Sequence, residues 1–302
     1  MLDAYLQATQ PFETINDFLR YGVSRASQGL LYYGHGTDNA WDDIRALVLR
    51  SLFLPYDIDP SLLNARLTPD EKQHLALQLM RRIEERIPVP YLTQEALFCN
   101  LPFYVDERVL IPRSPIAELI MNQFEPWLDA TKVHSILDLC TGSGCIAIAC
   151  AYAFPEARVD ASDISFDALS VAAINCERHD MDEQVNLIQS DCFEAIEPHR
   201  YSLIVSNPPY VGSHEMQTLP TEYEHEPVLA LETENQGLAI VDKILQSAHA
   251  YLEADGLLVI EVGNSDEALM AAYPHIPFTW IEFERGGHGV FVLTAEQLRL
   301  IR

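Results

Sequence analysis

Positive charge is scarce in this 302-residue sequence: 19 Lys+Arg stand against 45 Asp+Glu, a formal net charge of −26. Binding to nucleic-acid phosphates relies on Lys and Arg displacing counterions, so a balance this acidic argues against direct nucleic-acid binding and favours a basic partner. Long apolar stretches are also missing. No charge-free run of about 18 apolar residues occurs, which excludes a predicted membrane span. The first ten residues have neither a basic segment nor an apolar one of the kind that directs export, so the expected location is the cytoplasm. The six cysteines (Cys99, Cys140, Cys145, Cys150, Cys176 and Cys192) form no CxxC and no Cys/His pairing at zinc spacing. Most lie in apolar runs where a small buried side chain suffices, so reduced thiols and no metal site are expected.

What the chain does have is apolar material, 48% of its residues, enough for one large or two modest cores. Its charge divides unevenly. Residues 1–90 hold 9 Lys+Arg against 12 Asp+Glu (−3), and residues 91–302 hold 10 against 33 (−23). The first 90 residues read as a helical domain. Asp38 and Asn39 suit the start of a helix with Trp41, Ile44, Leu47, Val48 and Leu52 on one face. Thr68-Pro69-Asp70-Glu71 supplies an N-cap, a proline at the first helical position and a capping-box glutamate for a second helix running to about Ile87. Pro88 and Pro90 end it. Residues 91–113 then read as a β-hairpin linker, with short extended stretches at 96–98, 103–105 and 109–111.

From residue 114 to 302 the pattern changes to α/β. Apolar runs at 135–140, 158–164, 185–191, 202–206 and 256–262 read as buried parallel strands, separated mostly by segments long enough for crossover helices. That predicts a doubly wound sheet. The final runs, 279–283 and 289–293, are joined only by the turn Arg285-Gly286-Gly287-His288, too short for a crossover, so one of the last strands should be antiparallel.

The segment Asp138-Leu139-Cys140-Thr141-Gly142-Ser143-Gly144-Cys145 leaves the first of these strands and enters a helix over 146–153. Glycines allow a tight turn against a ligand, and the helix start offers unpaired N–H groups. Asp163, 19 residues past Gly144, ends the second strand, where a carboxylate can accept both hydroxyls of a ribose. The loop also satisfies the dinucleotide fingerprint, as Gly142-x-Gly144-x-x-Ala147, so it fits a nicotinamide cofactor as well as S-adenosylmethionine. Two aspartates favour the second. Asp138 would lie where a pyrophosphate must sit, and its charge suits the cationic methionyl end instead. Asp191, ending the third strand, is placed to accept from the adenine amine.

After the fourth strand comes Asn207-Pro208-Pro209-Tyr210, at the carboxyl edge where open α/β sheets bind ligands. A planar amide nitrogen is a poor nucleophile because its lone pair is delocalised. Acceptors at its two N–H bonds would hold it in line and favour loss of planarity. The Asn207 side-chain oxygen can take one N–H and the Pro208 carbonyl the other, with the rigid prolines keeping register and Tyr210 lying over the flat group. No strong base is required, since the methylated nitrogen becomes acidic. An exocyclic adenine amine is also conjugated and also bears two hydrogens. Charge discriminates, because residues 215–234 carry six glutamates and no Lys or Arg where a nucleic-acid enzyme needs a basic groove.

In the spacing of Thr141-Gly142-Ser143-Gly144, Asp163, Asp191 and Asn207-Pro208-Pro209-Tyr210, the chain resembles the HemK-type protein glutamine methyltransferases over nearly its whole length. The resemblance implies a seven-stranded, Rossmann-like class I methyltransferase domain preceded by a small N-terminal helical, substrate-recognition domain. It implies cofactor contacts from Thr141, Gly142, Ser143, Gly144, Cys145, Asp163, Asp191, Cys192 and Asn207, and substrate contacts from Asn207, Pro208, Pro209 and Tyr210. Cys192 stands where the family often has a bulky aromatic residue. The linker sequence Ile111-Pro112-Arg113-Ser114-Pro115 and the segment Tyr33-Gly34-His35-Gly36-Thr37-Asp38-Asn39-Ala40-Trp41 are similar to the branch that methylates the third protein of the large ribosomal subunit, with peptide chain release factor as the alternative substrate. His35 and Trp41 themselves are read as a loop histidine and a core tryptophan in preference to partner contacts.

Overall fold

The structure, a computed structural model, describes residues 1–284 and 286–301, and its chain divides into two compact units. The first comprises Met1–Glu95 with Pro220–His225, the second Ala96–Leu219 with Glu226–Arg302. The hairpin thus belongs to the second unit, and a six-residue piece from far along the chain belongs to the first. Among the described residues, no helix is long and apolar enough to cross a membrane.

The first unit packs the helices Leu2–Thr9, Ile15–Gln28, Ala40–Ser51 and Pro69–Glu84. Their starts are written locally. Thr14 with Asp17 and Thr68 with Glu71 make capping boxes, and the Asn39 side chain accepts the Asp42 N–H at 3.0 Å. Phe18, Leu19, Ile44, Leu47, Leu75 and Leu79 form the dry centre. A Cβ on Gly22 would come within 2.7 Å of Ile44, so glycine is what lets its helix approach so closely. One expectation changes here. Trp41 is 47% exposed, because it stands in the first turn of its helix, ahead of the residues that reach the core. His35 lies in a loop, as expected, and is buried, its ring 4.7 Å from that of Tyr223. The capped helix ends at Glu84, since Arg86 turns to φ +62°, and residues Val89–Thr93 form a short helix with prolines at its start instead of extended chain.

The second unit opens with a hairpin of β1 (Ala96–Phe98) and β2 (Leu101–Phe103), turned by Cys99 and Asn100, both at positive φ. Residues 109–111 are not a strand; the Asp106 carboxylate accepts from the Arg108 backbone and side chain and bends the chain there. The main sheet contains β3 (Ser135–Leu139), β4 (Arg158–Asp163), β5 (Val185–Gln189), β6 (Tyr201–Ser206), β7 (Leu252–Glu261), β8 (Thr279–Trp280) and β9 (Val290–Thr294). Their order is β5-β4-β3-β6-β7-β9-β8, with β9 antiparallel to both neighbours and the first five parallel. Every residue of β3 and β6 is buried, as a central strand covered on both faces requires. Of the Gly/His turn expected between the last strands, Arg285 lies outside the described residues. The order reverses between β3 and β6, and the chain leaves their carboxyl ends in opposite directions. A crevice opens at that switch point.

Candidate active site

The crevice is a cavity of about 470 Å³. The loops after β3, β4, β5 and β6 form its floor, and residues 108–114 and 227–234 supply walls that sequence reasoning did not assign to it. Of the expected residues, Thr141, Gly142, Ser143, Cys145, Asp163, Asp191, Cys192, Asn207 and Pro209 line it. Gly144, at φ +79°, caps the helix Cys145–Ala153, and a Cβ there would come within 3.2 Å of Ala172. Gly142, at φ +56°, is the other special glycine: a Cβ would meet nothing within 4 Å, so its backbone borders open space.

Asp163 fastens this loop. Its carboxylate accepts the N–H of Gly142 and that of Ser165, both at 2.9 Å, which leaves further acceptor capacity toward the cavity. Burial pushes its pKa up, against the lowering effect of those backbone donors. Asp138 behaves differently from the expectation. It is fully buried and not among the lining residues; its carboxylate accepts from the Thr141 hydroxyl at 2.5 Å and the Ala147 N–H at 3.1 Å. Through Oδ2 Asp138 thus clamps the loop, while its Oδ1 has no hydrogen-bond partner among the described residues. Burial raises its pKa to about 7, partly offset by those donors. The Asp191 carboxylate pairs with Lys243 at 2.7 Å, a partner the sequence did not single out. Three cysteines, Cys140, Cys145 and Cys192, also line the cavity, and burial pushes each thiol up, Cys145 and Cys192 to about 12. They act as small apolar walls, not as thiolates.

On the opposite side, Asn207 carries a buried Oδ1 that has no hydrogen-bond partner among the described residues. An unpaired buried acceptor costs roughly 1–3 kcal/mol, so its place on a cavity wall marks it as waiting for a donor. Pro208 and Tyr210 are not among the lining residues, although Tyr210 was expected to lie over the bound group. The Tyr210 hydroxyl instead donates to Glu261 at 2.9 Å.

The cavity's charge discriminates among ligands. Asp163, Glu232 and Glu234 line it, with Asp191 paired to Lys243 at 2.7 Å, against Arg108 and Arg113, which are paired with Asp106 and Glu226, each at 2.6 Å. Such walls suit a cationic sulfonium and an ammonium and oppose the pyrophosphate of a dinucleotide. The residues present thus fit S-adenosylmethionine.

The six glutamates over 215–234 do not all face solvent. Glu222 is 2% and Glu226 3% exposed, and only Glu224 between them faces solvent. Within the first unit, Glu222 accepts from the Tyr32 N–H at 2.9 Å and lies 3.3 Å from Arg86 and 3.6 Å from Arg82, which is itself bound to Asp43 at 2.8 Å. The Tyr32 N–H and these arginines lower its pKa despite burial. Within the second, Glu226 grips Arg113 through two bonds of 2.6 and 2.7 Å and accepts the Ile111 N–H.

Comparison with known proteins bears on this site. Residues 117–222 match the family described as Methyltransferase small domain. The ribosomal protein uL3 glutamine methyltransferase of Francisella tularensis subsp. tularensis is 45% identical over 286 residues, covering 94% of this chain and 91% of that protein. Its namesake from Neisseria meningitidis serogroup B is 47% identical over 293 residues, covering 97% and 96%. Among solved structures, human methyltransferase 10 domain containing protein shares 16% identity with a TM-score of 0.47, over 65% of this chain and 89% of its own.

Proposed function

Because the chain belongs to the ribosomal protein uL3 glutamine methyltransferase family, we propose that it transfers a methyl group from S-adenosylmethionine to a glutamine side-chain nitrogen of uL3. The observation that carries the reading is the unpartnered Asn207 Oδ1 on the wall of an acidic, glycine-looped cavity. When bound, S-adenosylmethionine supplies a methyl group on a positively charged sulfur. The Gly142 backbone would give it room, and Asp163 would accept hydrogen bonds from its ribose hydroxyls. Asp191 and Cys192 would border its adenine, with Thr141, Ser143 and Cys145 completing the wall. Asn207 Oδ1 would accept one amide hydrogen of the glutamine and hold its nitrogen toward the methyl. The Pro208 carbonyl, expected to take the other, does not line the cavity, so the assignment rests on Asn207. The proton lost afterwards is acidic enough to leave without a dedicated base.

The substrate protein is a basic one, drawn in by the acidic surface, with no direct nucleic-acid contact, and the enzyme works in the cytoplasm. The test is to incubate the protein with labelled S-adenosylmethionine and purified uL3, a release factor or adenine-containing oligonucleotides, then locate the label. Methylation confined to a glutamine of uL3 is expected. Label on the release factor or on adenine in place of uL3 would reject the assignment.

A further inference from the structure

Glu261, the last residue of β7, is a lone carboxylate at the end of the apolar run Leu257-Leu258-Val259-Ile260, and it is 5% exposed. It has no arginine or lysine within ion-pair distance among the described residues. Its partners are two hydroxyls from remote segments: Ser114 Oγ donates to Oε2 at 2.5 Å, and Tyr210 Oη donates to Oε1 at 2.9 Å. A buried carboxylate is costly unless its bonds matter. Ser114 and its neighbour Arg113 line the cavity on one side. On the other, Tyr210 ends the tetrapeptide that carries Asn207. The single carboxylate therefore joins two walls of the cavity from behind.

The rest of the seat for Tyr210 comes from the same short segment. Gly263, at φ +48°, lies so close to the phenol ring that a Cβ would come within 2.5 Å of a ring carbon. Ser265 Oγ donates to the Tyr210 carbonyl at 3.0 Å and to the Gln236 carbonyl at 3.1 Å. Tyr210 is thus held at its hydroxyl, its ring face and its carbonyl by residues 261–265. Since Ser206 pairs with Ile260 across the sheet, Asn207 departs from β6 beside Glu261.

We propose that Glu261 is a positioning residue for the methyl transfer: by binding the hydroxyls of Tyr210 and Ser114 together, it fixes Asn207 relative to the wall at residues 113–114. It acts through Tyr210 and does not touch the substrate. The inference rests on the proposed transfer to an amide nitrogen, where a displacement of the acceptor by a fraction of an ångström costs rate and not cofactor binding.

The experiment is a double-mutant cycle on the full-length protein with purified uL3. Glu261→Leu, which removes both acceptor oxygens, and Tyr210→Phe should each lower kcat by roughly ten- to a hundredfold, and the pair should lower it little further, because both remove one interaction, while Glu261→Gln, which keeps one acceptor, should lower it less. Ser114→Ala should act in the same direction but less. Cofactor affinity, read by calorimetry, should stay within about threefold in all of them. Unchanged kcat in Glu261→Leu, multiplying effects in the pair, or cofactor affinity collapsing in step with turnover would each overturn the assignment. Failure of the parent protein to methylate uL3 would instead overturn the functional reading beneath it.

Discussion

The two sides of the cavity are built by different means. On the glycine-loop side, the restraints are short in sequence: Asp138 binds Thr141 three residues on and Ala147 nine on, and Asp163 reaches Gly142 across 21 residues and Ser165 across two. On the tetrapeptide side the restraints that tie the tetrapeptide and residues 113–114 in place span much longer stretches of the chain. Tyr210 and Glu261 are 51 residues apart, Ser114 and Glu261 147, Arg113 and Glu226 113. A loop closed by near neighbours costs little entropy to form and is specified by its own residues. A wall assembled from distant segments holds its shape only when the whole unit has folded. Binding of the cofactor and alignment of the nucleophile should therefore be separable by mutation.

The sharpest separation is expected from Asn207→Ala, which removes the unpartnered acceptor. Turnover should fall by about a thousandfold or more while cofactor affinity changes by less than about tenfold. Measured kcat near the parent value would remove Asn207 from the chemistry and with it the contrast between the two sides.

The reverse pattern is expected from Asp163→Ala on the loop side. Loss of hydrogen bonds to the ribose should weaken S-adenosylmethionine by about 1.5–3 kcal/mol, with the loop loosened as well. Calorimetry giving parent affinity, or tight binding of a nicotinamide dinucleotide, would contradict the cofactor reading.

A third test concerns the loop clamp and pH. The pKa of Asp138 stands at about 7 in the fold against an ordinary value of 3.8, so the folded state holds a proton that the unfolded chain releases. Its contribution to stability is fully present below pH 4, shrinks as pH rises, and is lost once pH passes about 7. Asp138→Asn keeps an acceptor for Thr141 and Ala147 but cannot ionise. Denaturant titrations across that window should show a flatter profile for the variant than for the parent. Parallel profiles would mean that Asp138 is charged in the fold.

The smallest effect belongs to Glu224, the exposed glutamate between two buried ones. Glu224→Gln should raise KM for uL3 by less than about twofold and slightly flatten its salt dependence, since one exposed charge acts only on encounter and is screened beyond about 8 Å at physiological salt. A tenfold rise would identify Glu224 as a direct contact.

The same division explains what could be read from the sequence. The glycine loop, the strands around it and the carboxylate at the end of β4 were legible because their signals are local: apolar runs, glycines at fixed offsets, capping boxes. The antiparallel β9 was legible from the short connection before it. The three-dimensional setting of the acidic stretch was not. Glu222 and Glu226 look like solvated charges until Arg82, Arg86 and Arg113, more than a hundred residues earlier, are brought to them. Trp41 fitted the apolar stripe of its helix, yet periodicity does not say how far the core extends along that stripe. Glu261 carried a usable signal, a carboxylate directly after four apolar strand residues, but its partners Ser114 and Tyr210 follow only from the sheet order.

Glu222 also has a consequence for dissecting the molecule. The helical unit is not a contiguous stretch of polypeptide, because Glu222, 136 residues beyond Arg86, pairs with it and with Arg82, which also binds Asp43. A fragment ending at Glu95 would keep Asp43 for the buried Arg82 but would leave Arg86 without this counter-charge. A fragment beginning at Ala96 would retain residues 220–225 with no core to receive them. Separate expression of the two halves should give an insoluble or molten first piece, and adding a peptide that spans residues 220–225 should restore part of its order.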